Sequence, residues 1–209
     1  MKKKLLISLL LLFLFTTFSQ AQTKKGQFAI SGNMGVSLLS WKWEYIIAES
    51  ASTNVDAVVI DNAAPAFQGL LDYALLDKLS IGGAFSYQSV SNISKNNYVN
   101  TSGIIVTEDV VNTVTLMNFS YRILFHYLDN DKIDLYSGIR MGLNYYQNSN
   151  SSNDLNYHID QTNMFNEFGF APQVIGLGIR MYIFEDLAVN TEVAIGYPSF
   201  FSFGLTYRM

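Results

Sequence analysis

Cysteine is missing from this sequence. Its absence excludes a disulfide framework and lipid attachment through an N-terminal cysteine. Charge is scarce. Asp, Glu, Lys and Arg together make up 14% of the chain, against about 25% in ordinary soluble domains. What charge there is leans acidic, with 13 Lys+Arg against 17 Asp+Glu. That balance excludes nucleic acid as a partner, which requires a basic footprint. There are two histidines, His126 and His158, and no His/Asp spacing that matches a metal site. No metal and no cofactor are expected. Prolines number three. Long apolar runs are lacking beyond residue 18, so no further segment approaches the roughly 20 residues of a spanning helix.

The first residues are organised differently. Lys2, Lys3 and Lys4 precede an apolar run from Leu5 to Phe18, and Ser19-Gln20-Ala21 supplies small residues for cleavage after Ala21. A basic start, a short apolar stretch and a small-residue site form the layout of a secretory signal peptide. Residues 1–21 are read as that peptide and 22–209 as one exported domain. Its removal leaves 10 basic against 17 acidic residues, a net charge of −7.

What fills the exported domain is alternation. From Ile133, the odd positions Leu135, Ile139, Met141, Leu143 and Tyr145 are apolar, and the even positions carry Asp134, Tyr136, Gly138, Arg140, Gly142 and Asn144. A period of two is the mark of a strand with two unlike faces. The same pattern recurs around Phe28–Leu38, Phe67–Tyr73, Leu79–Tyr87, Met117–Tyr127, Ile175–Ile183, Leu187–Tyr197 and Phe201–Met209. Eight strands of about ten residues each are expected, the length a tilted strand needs to cross a bilayer. Short turns fall at Leu75–Leu79, Leu128–Lys132 and Phe184–Leu187, and long loops at Leu39–Ala66, Ser89–Asn112 and Gln147–Asn166. Such asymmetry is typical of outer-membrane barrels, with turns in the periplasm and loops outside. Between Leu38 and Leu39 the apolar parity flips, which reads as a β-bulge.

The two faces differ in charge. The apolar face carries none, and its aromatics gather near strand ends around a middle of Ile, Leu, Met and Val. Trp41, Trp43, Tyr73, Tyr127, Tyr145, Tyr197 and Tyr207 are assigned to the two interfaces, where Trp and Tyr concentrate. The polar face carries Asp72, Arg122, Asp134, Arg140, Arg180, Glu192 and Arg208. A barrel of eight strands is just wide enough for side chains to fill it. These seven are therefore read as an interior ion-pair network, with Arg180 opposite Asn190 and diagonal to Glu192, and His126 opposite Asp134. The fold class is all-β: an eight-stranded antiparallel up-and-down transmembrane β-barrel with its apolar face toward lipid.

"DYALLDKLSIGGAFSYQ", "YRILFHYLDNDKIDLYSGIRMGLNYY", "GLGIRMYIFEDLAVNTEVAIGY" and the closing "FSFGLTYRM" resemble the outer-membrane β-barrel domain proteins of Bacteroidetes-type bacteria, the PorT-like barrels. In architecture the chain is similar to the transmembrane domain of outer membrane protein A. The resemblance implies an integral outer-membrane protein among lipid and lipopolysaccharide, a client of the barrel-assembly machinery, and a monomer. The role expected from the sequence is structural or surface-interaction work through long extracellular loops, with a surface or periplasmic protein partner and no enzymatic activity. Two alternatives remain open. One is a lipid A-modifying enzyme using Ser151, Ser152, His158 and Asp160. The other is a narrow, porin-like pore. Terminal sequencing of the protein extracted from membranes is expected to read from Gln22; an intact Met1 start would show that the leader is retained.

Overall fold

The computed structural model describes residues 24–37, 58–99, 102–128, 132–152 and 166–209. Nine strands lie within them: β1 (Phe28–Val36), β2 (Val58–Ala63), β3 (Ala66–Leu76), β4 (Leu79–Val99), β5 (Ile105–His126), β6 (Ile133–Ser152), β7 (Asn166–Tyr182), β8 (Leu187–Gly196) and β9 (Phe201–Arg208). Every pairing is antiparallel. The run β4-β3-β1-β9-β8-β7-β6-β5 closes on itself because β4 also pairs with β5. The result is a closed barrel of eight strands. Closure falls between the chain's first and last strands, from Ala29 opposite Arg208 to Val36 opposite Phe201.

The ninth strand is a departure from the expected loop at 39–66. β2 pairs with β4 from Val58 opposite Ser94 to Ala63 opposite Val90, on the same edge that β3 occupies from Tyr87 down to Leu79. β2 and β3 thus form one line of backbone, interrupted at Ala64-Pro65, where proline has no N–H to give the ladder. The expected bulge at Leu38, and Trp41 and Trp43, lie outside the described residues.

Residues 89–99 and 105–112 are strand rather than loop. β4 and β5 pair over 21 positions, from Leu79 opposite Phe125 to Val99 opposite Ile105. β6 follows β5 up to Ser152 opposite Val110. Val106, Val110, Val111, Thr113, Val114 and Thr115 explain why: β-branched side chains favour a pleated backbone. What stops there is the contrast between the two faces, since Asn and Ser now stand on both. The barrel therefore has a short turn end and, opposite it, a tall ribbon end.

Burial follows the period of two. Along β1 it strictly alternates between exposed and buried. Phe28, Ile30, Met34, Leu71, Ile81, Met141, Leu143, Val193 and Leu205 point outward and are exposed, and Ile195 reaches 80%. Asn33, Gln68, Asp72, Arg122, Arg140, Arg180 and Glu192 point inward and are buried. This inverts the water-soluble arrangement: the wall is greasy and the interior polar. Two positions correct the expected faces. Ile175, assigned to the apolar outer face, is buried inside at 1% exposure. A bulge at Gly176 is the cause. β7 spends three residues (175 to 178) where β6 spends two, and it gains one residue against β8 as well. Parity on β7 reverses there, so Phe168, Phe170 and Val174 point out before it and Leu177 and Met181 after it. The outer belt is also not purely aliphatic at mid-height. Tyr121, 81% exposed, lies between Gly83 and Met141 in register, and Gly83 has no side chain to crowd its ring.

Met141→Arg, at that mid-height on the outer wall, is expected to cost roughly 2–4 kcal/mol if the wall faces the bilayer midplane. Met141→Leu should be close to neutral. Urea unfolding in lipid vesicles measures both, and equal stability of the two variants would show that the wall does not face hydrocarbon.

Candidate functional site: a string of charges through the lumen

An inward side chain is placed by parity and height. Asp72 comes from β3, Arg122 and His126 from β5, Asp134, Tyr136 and Arg140 from β6, Arg180 from β7 and Glu192 from β8. Those five strands converge their charges on one another. His126 Nδ1 is 2.7 Å from Asp134 Oδ1, and Arg180 Nη1 is 3.4 Å from Asp134 Oδ2. Arg180 Nη2 reaches Asp72 Oδ2 at 2.5 Å, and Arg122 Nε lies 3.1 Å from Asp72 Oδ1. Arg122 Nη2 donates to Glu192 Oε1 at 2.6 Å, and Arg140 Nη2 to Glu192 Oε2 at 3.3 Å. Three guanidiniums meet three carboxylates, so the string is neutral without help from the histidine. Buried ions require such pairing, because desolvating an isolated charge costs far more than the fold can supply.

The string continues at both ends. Toward the ribbon end, Arg140 Nη1 donates to Gln68 Oε1 (3.2 Å), Gln68 Nε2 to Ser199 Oγ (2.6 Å) and Gln173 Nε2 to the Ser199 carbonyl (2.6 Å). Asn118 Nδ2 donates to Asn144 Oδ1 at 2.7 Å nearby. Toward the turn end, the Ser80 hydroxyl lies 2.9 Å from His126 Nε2. Contacts between side chains thus run along the lumen from Ser80 to Ser199. Tyr136 braces the middle. Its hydroxyl donates to Glu192 Oε1 at 2.8 Å, the Arg180 guanidinium lies 4.7 Å from its ring centre, and its ring packs with Leu124, Ile175 and Ala194. Glycine makes room for it: a Cβ at Gly178 would overlap the Tyr136 ring, and one at Gly82 would overlap the Asp72 carboxylate.

Six of the seven expected network residues meet in this string: Asp72, Arg122, Asp134, Arg140, Arg180 and Glu192. Arg208 does not join them. It stands at the turn-end rim, donating to the Glu185 carbonyl at 2.6 Å with its guanidinium 4.1 Å from the Tyr182 ring centre. As the last residue of β9 it stays at the mouth, and its charge still lies within electrostatic reach of Asp134. The expected pairings shift as well. Arg180 is opposite Asn190 in register, but its carboxylate partners are Asp72 and Asp134 rather than Glu192. His126 is opposite Tyr136 and reaches Asp134 diagonally. Gln68, Ser80, Tyr136 and Gln173 were not singled out from the sequence; inward parity beside a charged residue is the signal that marks them.

Of the described aromatics assigned to the interfaces, Tyr73, Tyr127, Tyr197 and Tyr207 sit near strand ends, and Tyr145 lies within β6, seven residues short of Ser152. Tyr73 packs on Phe28 (ring centres 4.7 Å apart) and, with Tyr127 and Tyr207, lies toward the turn end. Tyr145 packs on Phe168 at 5.0 Å, and Tyr197 follows β8, both toward the ribbon end. Of the residues considered for lipid chemistry, Ser151 and Ser152 close β6, and His158 and Asp160 lie outside the described residues.

The family described as "Outer membrane protein beta-barrel domain" matches residues 7–207. Solved structures that share the barrel include the N-terminal β-barrel domain of Pseudomonas aeruginosa OprF, at 10% identity over 88% of this chain and 98% of that one, with a TM-score of 0.47. Pseudomonas aeruginosa OprG has 11% identity over 89% and 97%, TM-score 0.47. Ail, the attachment invasion locus protein of Yersinia pestis, has 10% identity over 88% and 99%, TM-score 0.44. No curated protein matches the chain.

The string generates a double-mutant test. Glu192→Leu leaves Arg140 without its carboxylate and is expected to cost roughly 3–5 kcal/mol. Adding Arg140→Met should restore most of that, because Arg122 keeps Asp72 and Arg180 keeps both its acids. Pairing Glu192→Leu with Arg180→Met should restore little, since those two do not touch. Urea midpoints of the four proteins decide; equal rescue by both second changes would refute the connectivity.

Proposed function

The chain belongs to the outer membrane protein beta-barrel domain family, and from that premise we propose that it is an integral outer-membrane protein of structural and surface-interaction type. The β4–β5 ribbon carries this reading. Its ladder runs 21 pairs, where about ten residues cross a bilayer. Beyond the aromatic level of Tyr87 opposite Met117 it continues 12 residues to Val99 opposite Ile105, roughly 40 Å along the strand at about 3.3 Å per residue. A sheet raised that far serves no purpose in holding a barrel in lipid; it serves contact with something outside. Val99, Ile104 and Ile105 stand exposed at its tip.

In this reading the turn end faces the periplasm and the ribbon end the exterior. Lipid and lipopolysaccharide surround the greasy wall, the interface aromatics anchor it at both levels, and the protein works as a monomer after cleavage of its leader and insertion by the barrel-assembly machinery. The partner is a surface or periplasmic protein met through the ribbon and its flanking segments. The string of buried charges supports a filled lumen over a pore.

The absence of cysteine makes the test direct. Ile104→Cys is expected to react with a membrane-impermeant maleimide on intact cells, and Asp77→Cys only after the outer membrane is opened. Purified protein in planar bilayers should give no large, steady conductance. The opposite labelling pattern would overturn the orientation, and steady ohmic channels would overturn the filled lumen.

A further inference from the structure

The turn end holds an arrangement that surface presentation does not use. Ser80 Oγ is 2.9 Å from His126 Nε2, and His126 Nδ1 is 2.7 Å from Asp134 Oδ1. Both ring nitrogens are engaged in one line, hydroxyl to imidazole to carboxylate. The far oxygen of that carboxylate is tied by Arg180 at 3.4 Å, which keeps it anionic and turned toward the imidazole. With Nδ1–H donated to the carboxylate, Nε2 presents its lone pair to the serine hydroxyl. That is the arrangement in which a hydroxyl becomes a nucleophile.

The geometry is imposed by the sheet rather than by a loop. Ser80 is the second residue of β4, His126 the last of β5 and Asp134 the second of β6. In register Ser80 is opposite Leu124 and His126 opposite Tyr136, so the imidazole reaches diagonally on both sides to make the two contacts. Its backbone N–H is held by the Lys78 carbonyl at 3.0 Å, and the Tyr136 ring flanks it with centres 5.8 Å apart. Residues on strands hold a constellation more tightly than residues on loops. The three side chains are buried and lie within one residue of their strand ends, toward the barrel mouth.

We propose that Ser80, His126 and Asp134 form an acyl-transfer site for small esters at the turn end of the barrel. Ser80 Oγ attacks the ester carbonyl carbon while its proton passes to His126 Nε2. Collapse of the tetrahedral adduct breaks the ester C–O bond, and the imidazolium returns the proton to the departing alkoxide, releasing the alcohol. Water, deprotonated by the same nitrogen, then attacks the acyl-serine, and the imidazolium returns that proton to Ser80 Oγ as the acyl–oxygen bond breaks and the acid leaves. Asp134 is a positioning residue: it holds the ring tautomer and stabilises the imidazolium.

The full-length protein, folded in detergent, is treated with a small alkyl fluorophosphonate and, separately, with p-nitrophenyl acetate. One phosphonyl adduct is expected, located on Ser80 by peptide mass and absent from urea-unfolded protein. Ser80→Ala should abolish both the adduct and the acetate hydrolysis. His126→Gln should slow labelling by roughly 100-fold or more, in line with the loss of a general base. Folding of each variant is checked by gel mobility without heating, and if a variant fails to fold, the position of the wild-type adduct decides. Absence of an adduct on wild-type protein, an adduct elsewhere, or a labelling rate unchanged by His126→Gln would overturn the proposal.

Discussion

Closure of the backbone ladder is the constraint on which everything else in this protein rests. β1 and β9 pair from Ala29 opposite Arg208 to Val36 opposite Phe201, and Phe28 and Met209 exchange backbone hydrogen bonds at 3.0 and 2.8 Å. A sheet closed in this way presents no open edge around its girth, the condition for backbone to stand in hydrocarbon. Closure also divides the residues of every barrel strand into a wall set and a lumen set with a period of two. One inserted residue therefore has consequences. The bulge at Gly176 exchanges the two sets along β7 and brings Ile175 inside, where it packs with Leu124 and Tyr136.

Closing eight strands leaves an interior just wide enough for side chains to fill. The lumen's solution is a neutral chain of partners. Each carboxylate in the string serves two partners: Asp72 joins Arg122 and Arg180, Glu192 joins Arg122 and Arg140, and Asp134 joins Arg180 and His126. Removing one member strands a buried charge on another strand, so distant parts of the barrel share stability. Glycine is the complement of this bulk. Gly178 and Gly82 give up their side chains where Tyr136 and Asp72 occupy the space.

The two ends use the same sheet differently. At the ribbon end the strands outrun the barrel, and β4, β5 and β6 carry a sheet upward with polar residues on both faces. At the turn end the inward residues nearest the ends of β4, β5 and β6 lie side by side on adjacent strands. Ser80, His126 and Asp134 meet there because three strands end at one height.

Most of the barrel was legible in the sequence. A period of two over several residues reports which side chains share a face, and the contrast between Ile139, Met141 and Leu143 on one side and Arg140 and Asn144 on the other reports that the faces meet different surroundings. The same parity identified the inward charges. It could not say which touch, since contacts across a lumen depend on strand stagger, tilt and the reach of each side chain. Arg180 therefore meets Asp72, from a strand 108 residues earlier in the chain, instead of its near neighbour Glu192. Nor could parity see past the point where the faces become alike: residues 89–112 read as loop because Asn and Ser stand on both sides, yet pairing between β4 and β5 keeps 89–99 and 105–112 extended. Local alternation determined the strands, their faces and the polar filling, because those follow from backbone geometry alone. Tertiary closure decided the partners, the bulge, the ribbon's height and the Ser80–His126–Asp134 line, because each depends on strands that only the folded barrel brings together.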